Sequence, residues 1–362
     1  VRTTRIVWWR WTSTPDMMNA QGIVLKGGQR TEVVSEAVPA PTGTQVLVRT
    51  HAVGLCGSDL GLYHGTYEGP KNYPLYFGHE WSGTVLDVGP EVTRVRPGDK
   101  VTGDCSLYCG ICELCHRDRN LCRAIDKFGI TVDGASRQLF LQEERYVYRA
   151  DADADLDLVA LSEPLAVGAH AVRRVREARP DLDREKILVM GGGTIGLSCF
   201  FALTVLEGCR HVELFDIVES RRQKALDLGA SELTDVIAAE HDAGGYGDLY
   251  SGQGYDVVFE TSGAVPAFNR AVDLLRPLGT IMALGFIPSV EFSLKQITLK
   301  AAHVLGSIGG TGDFERALAF AHQHPHLAAE LVSHRIPFRE FKKAFELAQE
   351  RKNAMKVLLI FD

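Results

Sequence analysis

Apolar positions recur along the chain in two textures. Ahead of about residue 165, short apolar runs at 22–26, 31–34 and 45–50 are separated by the turn-forming stretches Gly27-Gly28, Pro39-Ala40-Pro41 and Thr42-Gly43, which predicts a mostly β front part. Beyond it, short apolar strands at 187–190, 212–215, 256–260, 280–284 and 304–306 alternate with helical stretches, the signature of a parallel sheet wound with helices. The last segment reads as two helices, 314–320 and 338–348, and a strand, 357–360, that returns to the first domain. Residues 1–16 follow neither period. They carry Trp8, Trp9 and Trp11 and read as an N-terminal extension, or as sequence ahead of a start at Met17 or Met18. A length of 362 residues agrees with two domains at roughly 150 residues each.

Composition narrows the classes of function. With 45% hydrophobic and 23% charged residues the chain can bury a core, so disorder is excluded. The net charge of −7, with no long run of Lys or Arg, lacks the footprint needed to hold a phosphate backbone. No stretch approaches the roughly 18 consecutive apolar residues of a membrane span. We expect a soluble cytoplasmic protein with neither nucleic acid nor membrane as partner. Eight cysteines are too few for a disulfide scaffold in a chain this long, and five of them fall between Cys105 and Cys122, which points to metal.

Three constellations carry candidate chemistry. In the first, the apolar run Ile187-Leu188-Val189-Met190 leads into Gly191-x-Gly193-x-x-Gly196, which holds Thr194 and Ile195 as cofactor-binding candidates, and then into the apolar helical run Leu197 to Leu206. Such glycines allow a tight turn, close approach of a pyrophosphate and helix-on-strand packing, while the helix N-terminus offers free N–H groups to phosphate. Asp216 ends the next strand, 20 residues past Gly196, where a carboxylate can accept hydrogen bonds from the adenosine ribose and repel a 2′-phosphate. NAD is therefore favoured over NADP. Arg221 and Arg222 follow, either softening that preference at the cofactor or lying on a solvated helix face.

The second constellation is Cys109-x2-Cys112-x2-Cys115-x6-Cys122. Four thiolates on one short lobe match the tetrahedral demand of a closed structural zinc site. Disulfides are the weaker reading, since Cys-x2-Cys pairs close strained loops. Cys105, Cys199 and Cys209 read as small buried hydrophobes. The third constellation is scattered: Cys56-Gly57-Ser58-Asp59, Gly78-His79-Glu80 and Glu163-Pro164. Thiolate, imidazole and carboxylate together suit a catalytic zinc with an open position, and Cys56, His79 and Glu80 or Glu163 can supply three ligands. Asp59 is a natural carboxylate for the far nitrogen of His79, fixing its tautomer.

With these residues in view, the chain resembles the zinc-dependent medium-chain alcohol and polyol dehydrogenases. The motifs are CGSD (56–59), GHEWSG (78–83), RPGDKV (96–101), the four-cysteine lobe, EPLAVGAHAV (163–172), GGGTIG with Asp216, and HRIP (334–337), running in family order from about residue 20 to the end. Glu80 and Glu163 are similar to the sorbitol and threonine dehydrogenase branch, and the wording of CGSDL, GHEWSGTV and EPLAV is also similar to aminocyclitol dehydrogenases. The resemblance implies a GroES-like catalytic domain over 17–164 and 310–362, a Rossmann domain over 165–309, two Zn2+ per chain, and a homodimer or homotetramer. It implies NAD-linked oxidation of a secondary alcohol, or the reverse, with zinc as Lewis acid and Ser58 accepting the first proton. Substrate identity is expected from the loop bearing Tyr63, Tyr67, Lys71 and Tyr73, whose polar tips suit a hydroxyl-rich ligand.

Two departures stand out. The fourth cysteine of the lobe is usually reached after seven intervening residues, and here there are six. Many relatives place a proton-relaying His five positions after the catalytic Cys, where this chain has Gly61, with His64 three residues on, on the loop. Two readings from other classes remain. A catalytically silent NAD-binding protein of the same fold would tolerate loss of Cys56, His79 or Glu163, and all three are present. A zinc-ribbon contact for nucleic acid is opposed by Glu113 and Asp118 beside the lobe.

Overall fold

The computed structural model describes residues 18–233, 247, 250, 253–350 and 354–361, so the tryptophan-rich stretch 1–16 lies outside the described residues. The front part is built around the strand Gln45–Gly54, whose side chains are nearly all buried or half-buried and which has partners along both edges. It pairs antiparallel with Glu80–Val88 on one side. On the other it pairs with Leu139–Glu143 and, further along, with the C-terminal strand Lys356–Ile360. The seven-stranded sheet is completed by Lys100–Gly103, Val147–Arg149 and Val332–Pro337. A three-stranded sheet of Thr31–Val38, Met18–Leu25 and Leu75–Tyr76 accompanies it. Their core is aromatic: Phe77, Trp81, Phe140 and Phe345 are all fully buried, and Trp81 meets Phe140 edge to face at 4.9 Å.

The second part is a five-stranded sheet in the order Val212–Phe215, Ile187–Met190, Tyr255–Glu260, Leu275–Ala283, His303–Gly306, with every pairing parallel. Ile187–Met190 is buried at all four positions, as a central parallel strand covered on both faces must be. The helix Ser162–Ala178 packs through Ala166, Ala169, Val172 and Val175 in a core shared with Phe200, Phe201 and Phe320. The apolar runs of the sequence thus become this sheet because only a buried parallel sheet needs unbroken hydrophobicity. At its first turn Gly191 takes a φ of +108°, which favours glycine, and a Cβ on Gly196 would overlap the Gly191 carbonyl oxygen.

Two local readings change. Residues after Cys56 form the helix Gly57–His64 and not a loop, because Cys56 caps it and its N–H donates to Asp59 Oδ2 at 2.9 Å. The stretch 338–348 is a short turn, Phe338–Glu340, followed by the helix Phe341–Gln349. The HRIP residues lie in a strand, Val332–Pro337, parallel to Lys356–Ile360. Among the described residues no helix is long and apolar enough to cross a membrane.

Candidate active site and metal centres

The site forms where two segments of the front part are tied together. Cys56 stands at the N-terminus of the helix Gly57–His64, and His79 and Glu80 at the start of the strand Glu80–Val88. Asp59, with no exposed surface, accepts from Cys56 N on Oδ2 at 2.9 Å and from Gly78 N on Oδ1 at 3.3 Å. Its carboxylate therefore fixes the spacing between the two ligand-bearing segments. The expected hydrogen bond to His79 is not made: Asp59 Oδ1 lies 3.6 Å from Nδ1, beyond hydrogen-bonding distance. The interaction is electrostatic instead. Burial disfavours the imidazolium, but Asp59 prevails and raises His79 well above its ordinary value.

Cys56, His79 and Glu80 each bring a donor atom within 4.8 Å of the other two. A thiolate, an imidazole and a carboxylate converging in this way are a donor set that fits a zinc ion. Ser58 Oγ is 3.5 Å from His79 Nε2, so the hydroxyl lies at the same centre. Glu163, in the first turn of the helix Ser162–Ala178, stands beside this trio but not within it. Burial pushes its carboxyl up to about 7, with Glu80 adding and His79 opposing. One participant escaped the sequence reading. Lys356, 4% exposed, places Nζ 2.7 Å and 2.6 Å from the two oxygens of Glu80 and 3.2 Å from the Leu55 carbonyl. A Lys opening an apolar strand is unremarkable locally, and its partner is 276 residues away.

The cysteine lobe closes as its spacing predicts. The four sulfur atoms of Cys109, Cys112, Cys115 and Cys122 lie within 4.8 Å of one another, and Cys112 and Cys115 are 3.5 Å apart, far outside a disulfide. The six-residue spacer is taken up by the helix Glu113–Arg117 and the turn Arg119–Leu121. Backbone N–H groups converge on the thiols: Cys109 N and Ala124 N donate to Cys122 Sγ at 3.2 and 3.3 Å. Those of Arg123 and Cys115 hold Cys112 down at about 6. Burial pushes Cys115 the other way, up to about 12, and four sulfurs gathered this closely suit Zn2+. Cys105, Cys199 and Cys209 are buried, and burial lifts their thiols to about 12, 12 and 11.

At the glycine turn, the helix Thr194–Phe201 points its N-terminus at the loop, with Gly193 as cap and Thr194 and Ile195 in its first turn. This cradle fits a dinucleotide pyrophosphate. Asp216 accepts from Gly192 N at 2.7 Å and Val218 N at 2.8 Å, so the same carboxylate that would receive the ribose also shapes the turn. Arg221 lies 3.5 Å from Asp216 and donates to the Ala354 carbonyl at 3.3 Å, joining the two parts of the molecule, and Arg222 donates to the Asp216 carbonyl.

The expected substrate wall is mostly spent on packing. Tyr63 stacks on Phe345 at 4.3 Å, Tyr73 donates its hydroxyl to the Leu62 carbonyl at 2.6 Å, and Lys71 donates to the Tyr67 carbonyl at 2.5 Å. Tyr67 differs. It is half-buried, and its hydroxyl, raised by burial, is within electrostatic reach of His79 and Cys56. His64 ends its helix and shares a hydrogen bond with Gln29 at 3.1 Å on an exposed surface.

Known proteins resemble this chain along most of its length. Residues 42–152 match the alcohol dehydrogenase GroES-like domain, and residues 195–323 match the zinc-binding dehydrogenase family. The chain is 32% identical to sorbitol dehydrogenase of Halalkalibacterium halodurans over 326 residues, covering 89% of this chain and 93% of that protein. It is 29% identical to D-arabitol-phosphate dehydrogenase of Enterococcus avium, covering 89% and 92%. Among solved structures, a putative zinc-binding dehydrogenase from Sinorhizobium meliloti bound to NADP superposes with a TM-score of 0.81 at 28% identity, covering 95% and 100%.

The contrast between the two metal centres leads to opposite expectations for their variants. Cys112→Ser should lower both thermal stability and zinc content, because a closed site feeds its binding energy into folding. Cys56→Ser should abolish turnover while the melting temperature and dinucleotide binding stay near wild type. Melting curves, metal content and nucleotide binding measured on both variants check this; a Cys56→Ser protein that still turns over would refute the assignment.

Proposed function

Because the chain belongs to the zinc-dependent medium-chain dehydrogenases, a family of alcohol and polyol oxidoreductases, we propose that it moves a hydride between NAD and a secondary alcohol of a small hydroxylated substrate. The substrate class is a polyol, sugar alcohol or aminocyclitol, and the setting is the reducing cytoplasm, where cysteines remain thiols. The observation that carries the reading is the convergence of Cys56, His79 and Glu80 next to Ser58. When bound, zinc supplies Lewis acidity toward the substrate oxygen and the dinucleotide supplies the hydride acceptor.

The chain's own residues do the rest. Cys56, His79 and Glu80 would hold the zinc, with Glu163 as the neighbouring buried carboxyl. Lys356 neutralises Glu80 and keeps its carboxylate oriented without a solvent shell. Ser58 accepts the proton released by the substrate hydroxyl and passes its own on toward the nicotinamide ribose and solvent. Gly61 puts no imidazole one turn after Ser58, and His64 at the end of the helix is engaged with Gln29, so Ser58 works without a histidine relay. Tyr67 presents a phenol to the substrate from the loop that follows. Asp216 at the glycine turn supports NAD over NADP, since a 2′-phosphate there meets a carboxylate.

A screen of polyols, aminocyclitols, amino acids and simple alcohols, read by NADH absorbance, tests the reading. Turnover of a hydroxyl-rich substrate with NAD at a kcat/KM roughly tenfold or more above that with NADP is expected. Equal or better use of NADP would instead make Arg221 and Arg222 phosphate clamps, and failure of every alcohol would overturn the proposal. With the substrate in hand, Ser58→Ala should lower kcat by roughly 100-fold or more, the scale of lost positioned proton transfer. His64→Ala should be nearly neutral; a clear loss there would place the relay at the end of the helix.

A further inference from the structure

Residues 307–313 carry the chain from the last parallel strand, His303–Gly306, into the helix Phe314–Gln323. Ligands of open α/β sheets lie beyond the carboxyl ends of the strands. Asp216 follows Val212–Phe215 at one edge of the sheet, and His303–Gly306 forms the opposite edge. On the proposed reading, a dinucleotide with its adenosine at Asp216 directs its nicotinamide half toward the far side, where residues 307–312 lie.

That segment is fastened by a residue 191 positions earlier, inside the cysteine lobe. Asn120, 3% exposed, sits in the turn between Cys115 and Cys122, and its backbone N–H is capped by Asp118 at 2.9 Å. Its amide grips the backbone of Thr311 on both sides: Oδ1 accepts from Thr311 N at 3.2 Å, and Nδ2 donates to the Thr311 carbonyl at 3.4 Å. The grip is itself braced. Asn120 Nδ2 donates to Asp118 Oδ1 at 2.9 Å, and Ser106 donates to Asn120 Oδ1 at 3.3 Å. The Thr311 hydroxyl donates to Asp104 Oδ1 at 3.0 Å. His170, 1% exposed, bridges Asp118 at 3.3 Å and the Ser307 hydroxyl at 2.8 Å. Gly309 is left-handed at φ +71°, and a Cβ there would overlap Asn120 Oδ1, so the segment approaches as closely as a glycine allows.

A buried amide with donors and acceptors matched this fully holds one geometry, and losing it strands several polar groups. We propose that Asn120 is a positioning residue: the metal-loaded cysteine lobe, through Asn120, fixes the 307–312 segment and with it the nicotinamide end of the dinucleotide site. The lobe then shapes cofactor binding as well as stability. The inference rests on the NAD reading above, and its test separates the two.

The test compares NADH with ADP-ribose, which has the adenosine and pyrophosphate but no nicotinamide, by equilibrium binding to zinc-loaded protein. Asn120→Ala should weaken NADH about tenfold, the scale of a stranded buried hydrogen-bonding group, while ADP-ribose binding and zinc content stay near wild type. Hydrogen–deuterium exchange should accelerate at 307–312. Cys112→Ser, which empties the lobe, should accelerate the same amides. Gly309→Ala should reproduce the NADH-selective loss and add less in the Asn120→Ala background than alone; it also carries the test if Asn120→Ala fails to fold. Unchanged NADH affinity and exchange in Asn120→Ala, or equal weakening of both ligands, would overturn the proposal. If the wild type binds neither ligand, the NAD reading fails, and exchange at 307–312 still decides whether Asn120 fastens the segment.

Discussion

Asp59, His79, Glu80, Glu163 and Lys356 occupy one buried region, none more than 8% exposed, and charge out of water is tolerated only when it is compensated. The pair between Lys356 and Glu80 is the clearest compensation. Removing one partner of such a pair typically costs about 3–5 kcal/mol because the other charge is left unpaired. That requirement reaches across the molecule. Lys356 sits on the strand Lys356–Ile360, so the end of the chain must return to pair with Gln45–Gly54. Gly54 must be a glycine there, since a Cβ would overlap the Glu80 carboxylate.

The compensation also bears on the metal. Glu80 is claimed by Lys356 and by the donor trio with Cys56 and His79, while Glu163 waits beside them with a carboxyl raised by burial. The sequence left Glu80 and Glu163 as alternatives, and the geometry puts Glu80 in the trio. Asp59 works at the next level. By accepting from Cys56 N and Gly78 N it sets the distance between thiol and imidazole with backbone hydrogen bonds, which depend less on side-chain rotamers than a direct contact would.

The parts legible in the sequence were those whose chemistry is local. The glycine turn at 191–196 lies between its own strand and helix, and the four lobe cysteines sit within 14 residues of one another, so spacing alone conveys geometry. The helix Gly57–His64 was missed because it is a single short element started by a cap and not by an apolar period. Lys356 and Asn120 were invisible for a different reason: their partners are 276 and 191 residues away, and nothing in their neighbours sets them apart from ordinary surface residues. Tyr63 and Tyr73 show the converse, since side chains that looked suited to a substrate are used by Phe345 and the Leu62 carbonyl.

A closed site of four thiolates and an open site of mixed ligands should differ sharply in how they release zinc. The most direct measurement counts zinc per chain while substrate-dependent NADH formation and melting temperature are followed through a titration with a chelator. Two zinc ions per chain are expected at the start, with activity falling in step with the first ion lost, recovering on its return, and the melting temperature holding until the second leaves. A chain that holds a single zinc, or that keeps turning over after the first ion has gone, would contradict a catalytic zinc at Cys56, His79 and Glu80.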